Sequence, residues 1–467
     1  MQKKLSLLDG ILLVAGSMIG SGIFIVSADI ARNVGGAGYL LLTWVIAGAM
    51  TIMAAFSYGE LSGMMPKAGG QYVYLRESYN PLVGFLYGYS LFLVIQTGTI
   101  AAVAVAFAKF TGVLFPFFSE KNIVFELGIL HVSRAQLLAI VAIILLTYIN
   151  TQGLKGGSLL QRVFTFAKLI ALFGLIFVGF LFFDKNILAH NFGDMWNSSA
   201  RINPENAKMS LFAAIGVSMV GTLFSSITWE NVTFVSGEME NPTRNVPRSM
   251  ILGTILVITI YLLANIVYLG VLPIDGSATG KSVLERGIQF AELDRVGTAA
   301  VSAMLGKIGV YVMAGLIMVS TFGCCNGAIL SGARVYQAMA EDGLFFKKAV
   351  ELNKNGVPGI SLWMQCFWIC LLCLSGTYSD LLDYVIFAVL IFYILTVAGV
   401  FILRVKNPDV ERPYRALGYP ILPILYIIAA LTIGIILLIY KPLYTWPGLL
   451  IVLSGIPVFY YFTSRNK

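Results

Sequence analysis

The chain has 467 residues, of which 58% are hydrophobic and only 12% charged, and its mean hydropathy is +0.85. Soluble domains run to about 45–50% apolar and about 25% charged residues. Half the usual charge cannot coat a water-facing surface of this size, which excludes a soluble multidomain enzyme; the high hydrophobicity excludes disorder. The net charge is +8. The basic residues are scattered singly between apolar stretches, with no basic stripe, so no nucleic-acid partner is expected. The composition suits a bilayer as solvent, with membrane lipid as a partner.

A spanning helix needs roughly 20 mostly apolar residues. Twelve stretches qualify, near 7–32, 38–63, 84–114, 134–151, 158–183, 207–238, 247–273, 298–333, 358–376, 380–404, 417–440 and 446–464. Met1–Lys4 is basic, but the apolar run continues past residue 23 without a small-residue cleavage site, so no cleaved signal is expected. With the N-terminus inside, 18 of the 31 Lys and Arg residues face the cytoplasm, among them Lys3, Lys4, Lys67, Arg244, Arg334, Arg404 and Lys467. That excess predicts both termini in the cytoplasm.

The first span is irregular. It reads Gly16-Ser17-Met18-Ile19-Gly20-Ser21-Gly22-Ile23-Phe24. Each mid-helix glycine costs up to about 1 kcal/mol against alanine. Two readings compete. Small residues let a neighbouring helix approach closely. Alternatively the helix is broken here, and broken backbone at membrane depth survives only where it is buried or lines a cavity. Such a break suits a zwitterion: N–H groups after it meet a carboxylate, and carbonyls before it meet an ammonium.

Between the second and third spans, residues 66–80 read as a short amphipathic helix on the inner side. The third span carries Gln96, Thr97 and Thr99; helix–helix hydrogen bonding and tuning of selectivity are the two readings of these polar groups. In the fifth span Lys168 stands about ten residues from the predicted start, roughly 15 Å at 1.5 Å per residue. Its ammonium either snorkels to the headgroups or lies against carbonyls of the broken first helix, where its proton would also be available for transport.

The sixth span reads Phe224-Ser225-Ser226-Ile227-Thr228-Trp229-Glu230-Asn231. A carboxylate at bilayer depth is costly and marks function by default. Placed in the first turn of a new half-helix, Glu230 is stabilised by the helix dipole, and a break over 225–229 follows. Spans 1 and 6 are five spans apart and run in opposite directions. Discontinuous helices at matching places in two halves point to a transporter's binding site. Residues 278–297 suggest outer amphipathic helices. The five cysteines, Cys324, Cys325, Cys366, Cys370 and Cys373, fall inside spans and read as small apolar side chains. No disulfide-linked subunit is therefore expected. The two histidines, His131 and His190, fall in predicted loops, so neither a metal site nor a cofactor is expected.

An ordered set of motifs carries a family resemblance over nearly the whole chain. It comprises Gly20–Phe24 (GSGIF), Tyr58-Gly59-Glu60-Leu61 with Pro66, Gly69-Gly70, Tyr72, Tyr74 and Pro81, then Phe164–Lys168. It continues with Trp229, Asn231, Glu238, Asn241-Pro242, Arg244-Asn245 and Pro247-Arg248, then Asn326-Gly327, Arg334, Asp342-Gly343-Leu344, Arg412-Pro413 and Gly418-Tyr419-Pro420. The set resembles the amino acid–polyamine–organocation (APC) superfamily and, within it, the L-type amino acid transporter family.

The resemblance implies an all-α polytopic membrane protein of twelve transmembrane helices, the leucine-transporter-type five-plus-five inverted repeat with helices 1 and 6 discontinuous. One transport domain fills 1–467, with repeats over 7–183 and 207–404 and two extra helices over 417–464. It implies sodium-independent transport of L-amino acids by alternating access, as an exchanger or coupled to protons, and no enzymatic activity. Carried onto this sequence, the N–H groups of Ser21, Gly22 and Ile23 hold the substrate carboxylate. Carbonyls of Met18, Ile19, Phe224, Ser225 and Ile227 hold the amine, and Phe224 forms a lid. Lys168 replaces a sodium ion and bridges helix 1 to helix 8 near Cys324 or Ser320. Gln96, Thr228, Glu230 and Asn326 are candidate selectivity residues.

One departure matters. Family members usually carry small residues before the tryptophan of helix 6, where this chain has Ile227 and Thr228. The branched Ile227 fills side-chain room, so small to medium neutral substrates are expected. A polyamine or cationic amino acid transporter on the same scaffold is the alternative, for which Glu230 is the ambiguous acid.

Overall fold

The computed structural model describes residues 5–66, 69–127, 130–202, 209–375 and 378–465. Lys3, Lys4, Lys67 and Lys467, counted above for orientation, lie outside them. The first span consists of α1 (Leu7–Met18), α2 (Gly22–Ile25) and α3 (Ser27–Val34). Then follow α4 (Ala37–Met64), α5 (Gln71–Ser78), α6 (Pro81–Ser90), the π turn Leu91–Ile95 and α7 (Gln96–Leu114). An antiparallel hairpin, β1 (Ile123–Leu127) and β2 (Leu130–Ser133), leads to α8 (Arg134–Thr151), α9 (Leu154–Leu181), α10 (Lys185–Gly193) and α11 (Leu211–Ser225). A 3₁₀ segment, Trp229–Glu238, precedes α12 (Pro242–Val271) and the single turn α13 (Val283–Arg286). The chain ends with α14 (Val296–Glu341), α15 (Gly359–Ser375), α16 (Tyr378–Lys406), α17 (Ile421–Tyr440) and α18 (Pro442–Arg465).

Among the described residues ten helical stretches are long and apolar enough to cross a membrane, and α1 and Gly359–Leu374 are apolar but shorter. The protein is thus a helical, multi-pass membrane protein. Burial separates the centre from the rim. In the most apolar window of Pro81–Leu114 83% of residues are buried, against 22% in Pro442–Ser464. Phe177, Ile308 and Leu443 stand exposed on the outside of the bundle, as lipid-facing residues should.

Several elements differ from their sequence-based expectation. A hairpin stands where a loop around His131 is expected; its Ile123-Val124-Phe125 run is β-branched and aromatic, the composition that strands favour. His131 therefore lies in β2, and His190 lies in α10, its Nε2 2.6 Å from Asp275. Ahead of the start of α14 at Val296, residues 278–297 hold α13 and a 3₁₀ turn, Glu292–Asp294, because Gly280 and Gly287 interrupt them and Gly287 takes a positive φ of 60°. The eighth span is longer than 298–333: α14 continues to Glu341, with a kink at Gly306 (φ 63°).

Local chemistry explains the helix starts. Ser6 and Asp9 form a reciprocal capping box on α1, and Ser133 and Gln136 form one on α8. Asn241 enters α12 ahead of Pro242, a residue without the N–H that a first turn leaves unbonded anyway. Leu5 pairs with the end of the 3₁₀ segment: its N–H donates to Glu238 O (2.9 Å) and its carbonyl accepts from Glu240 N (2.9 Å).

At the same end Glu60 of α4, 1% exposed, joins three elements. Arg404 of α16 donates to both carboxylate oxygens (2.9 and 2.7 Å), and Ala416 N donates at 2.7 Å. Arg412 Nε lies 3.3 Å away. The Arg404 guanidinium also sits 3.6 Å over the Tyr419 ring. Removing one partner of such a cluster strands buried charge. Glu60→Ala should therefore lower stability by about 3 kcal/mol, read as a lower midpoint of thermal unfolding in detergent; an unchanged midpoint would show that the cluster is not structural.

Candidate binding site at two interrupted helices

Helix α1 stops at Met18. Its C-cap, Ile19, is extended (φ −73°, ψ 95°), and helix resumes only at Gly22. The interruption opens backbone groups on both sides, which water cannot satisfy at this depth. Four consecutive carbonyls at the end of α1 are met by four different elements. Gly16 O accepts from Lys168 Nζ of α9 at 2.6 Å. Ser17 O accepts from the Thr228 hydroxyl at 2.9 Å and lies 3.7 Å from Cys324 Sγ of α14. Met18 O accepts from the Tyr261 hydroxyl of α12 at 2.9 Å, and Ile19 O from Lys168 Nζ at 2.8 Å.

Lys168 is thus fully buried and turned into the protein, not toward headgroups. Because α9 begins at Leu154, it stands about 21 Å along the helix, deeper than the 15 Å read from sequence. Its bonds tie α9 to the break, and Cys324 brings α14 to the same place. The Ser320 hydroxyl, also buried, bonds to no group among the described residues.

Across the break the picture reverses. The N–H groups of Ser21, Gly22 and Ile23 donate to no acceptor among the described residues. They open the α2–α3 run, where the helix dipole favours an anion. Opposite them α11 ends at Ser225, and Thr228 takes a left-handed φ of 70° before the 3₁₀ segment begins. A β-branched residue is strained in that region; its hydroxyl bonds to Ser17 O and Ile227 O hold it there. The carbonyls of Phe224 and Ser225 accept from no donor among the described residues, and Ile227 O accepts only from Thr228. The two interruptions touch: a Cβ on Gly22 would fall on the Ser225 side chain.

Above the touching point the Ser21 hydroxyl lies 3.1 Å from the Tyr378 hydroxyl of α16, and Tyr378 meets the Phe224 ring edge-on at 6.0 Å. Phe224 is buried and Ile227 is buried beside it. Gln96 and Asn326 make bonds across helix interfaces: Gln96 donates to Ala328 O (2.8 Å), and Asn326 accepts from Asn150 (2.9 Å). Glu230 falls in the first turn of the 3₁₀ segment, 7% exposed.

The sequence reading missed the tyrosines. Tyr261 bonds Met18 O, and Tyr268 bonds Ile23 O at 3.2 Å. They are seven residues apart on α12, hence on one face; that spacing of two hydroxyls inside an apolar span was the available signal. Tyr378 has no comparable local signal, since it reaches the site only through the packing of α16.

Among the described residues, ten membrane-length helices and two facing backbone interruptions define a polytopic membrane protein. The chain belongs to the amino acid permease family, whose family model matches residues 5–459. It is 28% identical over 462 residues to the large neutral amino acids transporter small subunit 2 of Mus musculus, covering 98% of this chain and 81% of that protein. It is 29% identical to the serine/threonine exchanger SteT of Bacillus subtilis (strain 168), covering 100% of this chain and 98% of that protein. It is 26% identical to the cystine/glutamate transporter of Homo sapiens, covering 100% and 86% respectively. The match places the chain in the amino acid–polyamine–organocation superfamily that its motifs resemble.

The two glycines of the first break should respond differently. Gly22→Ala forces the helices apart and should cost about 1–3 kcal/mol. Gly20→Ala should be nearly neutral, because a Cβ there meets nothing closer than Cys324 Sγ at 3.7 Å. Unfolding in detergent compares the two; equal losses would mean that the breaks do not approach as closely as described.

Proposed function

We propose that this protein carries small to medium neutral L-amino acids across the plasma membrane by alternating access, without sodium, as an exchanger or with protons. The observation that carries this reading is the complementary pair of backbone faces. Unbonded N–H groups at Ser21, Gly22 and Ile23 suit a carboxylate, and unbonded carbonyls at Phe224 and Ser225 suit an ammonium. An α-amino acid presents both charges one carbon apart. Met18 O and Ile19 O already accept one bond each, so they contribute only a second lone pair to the amine. Phe224 and its partner Tyr378 form the lid. Lys168 stands as a fixed cation where relatives of other types would bind sodium, and couples α9 to the site.

On this reading the first repeat spans 7–183 and the second 207–404 in inverted orientation. Helices α17 and α18 lie outside the repeat, α1 and α15 complete a set of twelve membrane helices, and both termini face the cytoplasm. Two relatives, a large neutral amino acids transporter and a serine/threonine exchanger, support a substrate of this class. Ile227 narrows the pocket against bulky aromatic side chains. A cationic substrate is the second reading, which the buried Glu230 favours.

Uptake and counterflow in proteoliposomes test the proposal. Serine, threonine and alanine should enter independently of sodium and faster against internal substrate, and phenylalanine should enter poorly. Sodium dependence, or preference for arginine, would reject it. Lys168→Ala should cut transport at least about tenfold, a loss near 1.4 kcal/mol of barrier, while membrane insertion persists; wild-type rates would leave Lys168 without a coupling role. Ile227→Gly should raise the phenylalanine-to-serine preference by about 10–200-fold, measured as a ratio of kcat/KM values.

A further inference from the structure

Away from the two breaks, a cleft of about 840 Å³ lies between the end of α8 and the connection from α14 to α15. Sites for small molecules run to about 300–1,000 Å³. The transport reading does not use this cleft. Its walls differ in chemistry. Ile360, Trp363, Met364 and Phe367 of α15 form an apolar wall; Gln152 and the loop residues 351–355 form a polar one.

The loop is held in shape by its own asparagines. Asn353 Oδ1 accepts from the N–H groups of Asn355 (2.9 Å) and Val357 (3.2 Å), and Gly356 supplies a φ of 73°. Asparagine and glycine are the residues such a turn demands. The side-chain amides of Asn353 and Asn355 both donate to Thr151 O, at 2.8 and 3.0 Å. That carbonyl belongs to the last turn of α8, which the helix leaves unbonded. The loop is thus fastened to one helix and runs into the first turn of the other.

The position of the cleft follows from exposure. Trp363, Phe367 and Leu371 recur every four residues along α15 and are exposed, so one face of that helix points out of the bundle. On α8 Val141, Leu145 and Tyr148 are exposed at helical spacing too. In a bilayer these faces meet acyl chains, and Trp363, one turn into α15, stands where tryptophan favours the membrane interface. The cleft begins where the two lipid-facing surfaces reach the loop, so its apolar wall opens toward the bilayer.

Charge narrows the choice of lipid. Residues 347–355 read KKAVELNKN, three lysines against Glu351, a net charge of +2. Lys354 lines the cleft, and Lys347 and Lys348 precede it; all three are exposed and unpaired among the described residues. Gly359 and Ile360 bring the first turn of α15 to the same end, where the helix dipole adds to the attraction for an anion.

We propose that this cleft binds one anionic phospholipid, with its headgroup phosphate at Lys354 and an acyl chain along Trp363 and Phe367. A free anion would leave the apolar wall uncovered, and a zwitterionic lipid would leave the basic segment unmatched. Basic pockets between membrane helices recognise anionic headgroups in this way. The bound lipid covers the seam between α8 and α15 and the loop that joins them. The inference is independent of the transport reading above.

Native mass spectrometry of the delipidated full chain in detergent tests it. The protein is titrated with phosphatidylglycerol or with phosphatidylcholine of the same acyl chains. One phosphatidylglycerol should be held at least about fivefold more tightly than phosphatidylcholine, the factor expected for one lysine at a membrane surface. Lys354→Ala, a change in an exposed loop, should remove about that factor for phosphatidylglycerol and leave phosphatidylcholine unaffected. Trp363→Ala should weaken both lipids. Equal retention of the two lipids by the wild-type protein would overturn the assignment, as would phosphatidylglycerol binding that Lys354→Ala leaves unchanged. Glycerol phosphate bound as tightly as the lipid would also overturn it, since the apolar wall would then contribute nothing.

Discussion

Peptide groups opened at membrane depth must find partners inside the protein or in a ligand. Everything distinctive about this molecule follows from how it meets that requirement at residues 16–23 and 224–230. On the α1 side every opened carbonyl from Gly16 to Ile19 is matched, by an ammonium, by hydroxyls and at Ser17 also by a thiol. On the α2 side three N–H groups stay unmatched. One half of the break is thus held by the protein and the other is open; on the proposed reading an acceptor-bearing ligand completes it.

The donors to α1 come from α9, α12, α14 and the turn that follows α11. No single neighbour holds the broken end. A shift of any of these elements changes the hydrogen bonding at the site, and a ligand bound there biases all of them. That is the physical content of coupling between a binding site and a moving scaffold. The buried lysine is central because a charged donor makes stronger bonds than a hydroxyl and its loss leaves two carbonyls unmet.

Both ends of the path are tied as well. Arg32 of α3 donates to Asp294 (2.7 Å) and to Gln289 O (2.8 Å). At the opposite end Leu5 pairs with the segment after α11, Arg334 meets Glu238, and Tyr72 and Arg76 both reach Asp342. These contacts are partly exposed, so each is worth little alone. Weak ties at two ends and strong ties at the centre suit a protein whose ends must open in turn.

The sequence by itself determined the solvent, the helical class and the place of the two interruptions. Hydrophobic runs of membrane length leave few alternatives, and glycines, serines and a carboxylate inside such runs are too costly to be incidental. It also marked Lys168, though not which way the side chain turns. Tertiary structure decided that. It brought α9 against the end of α1, so that the ammonium meets carbonyls 152 and 149 residues away in the chain. It likewise turned Gln96 and Asn326 into interface residues, and brought Tyr58, Trp229 and Tyr393 together around Glu230 from three separate elements. Pattern along a chain records what each segment must bury; which side chain answers which orphaned peptide group depends on contacts between segments, and those exist only once the helices have packed.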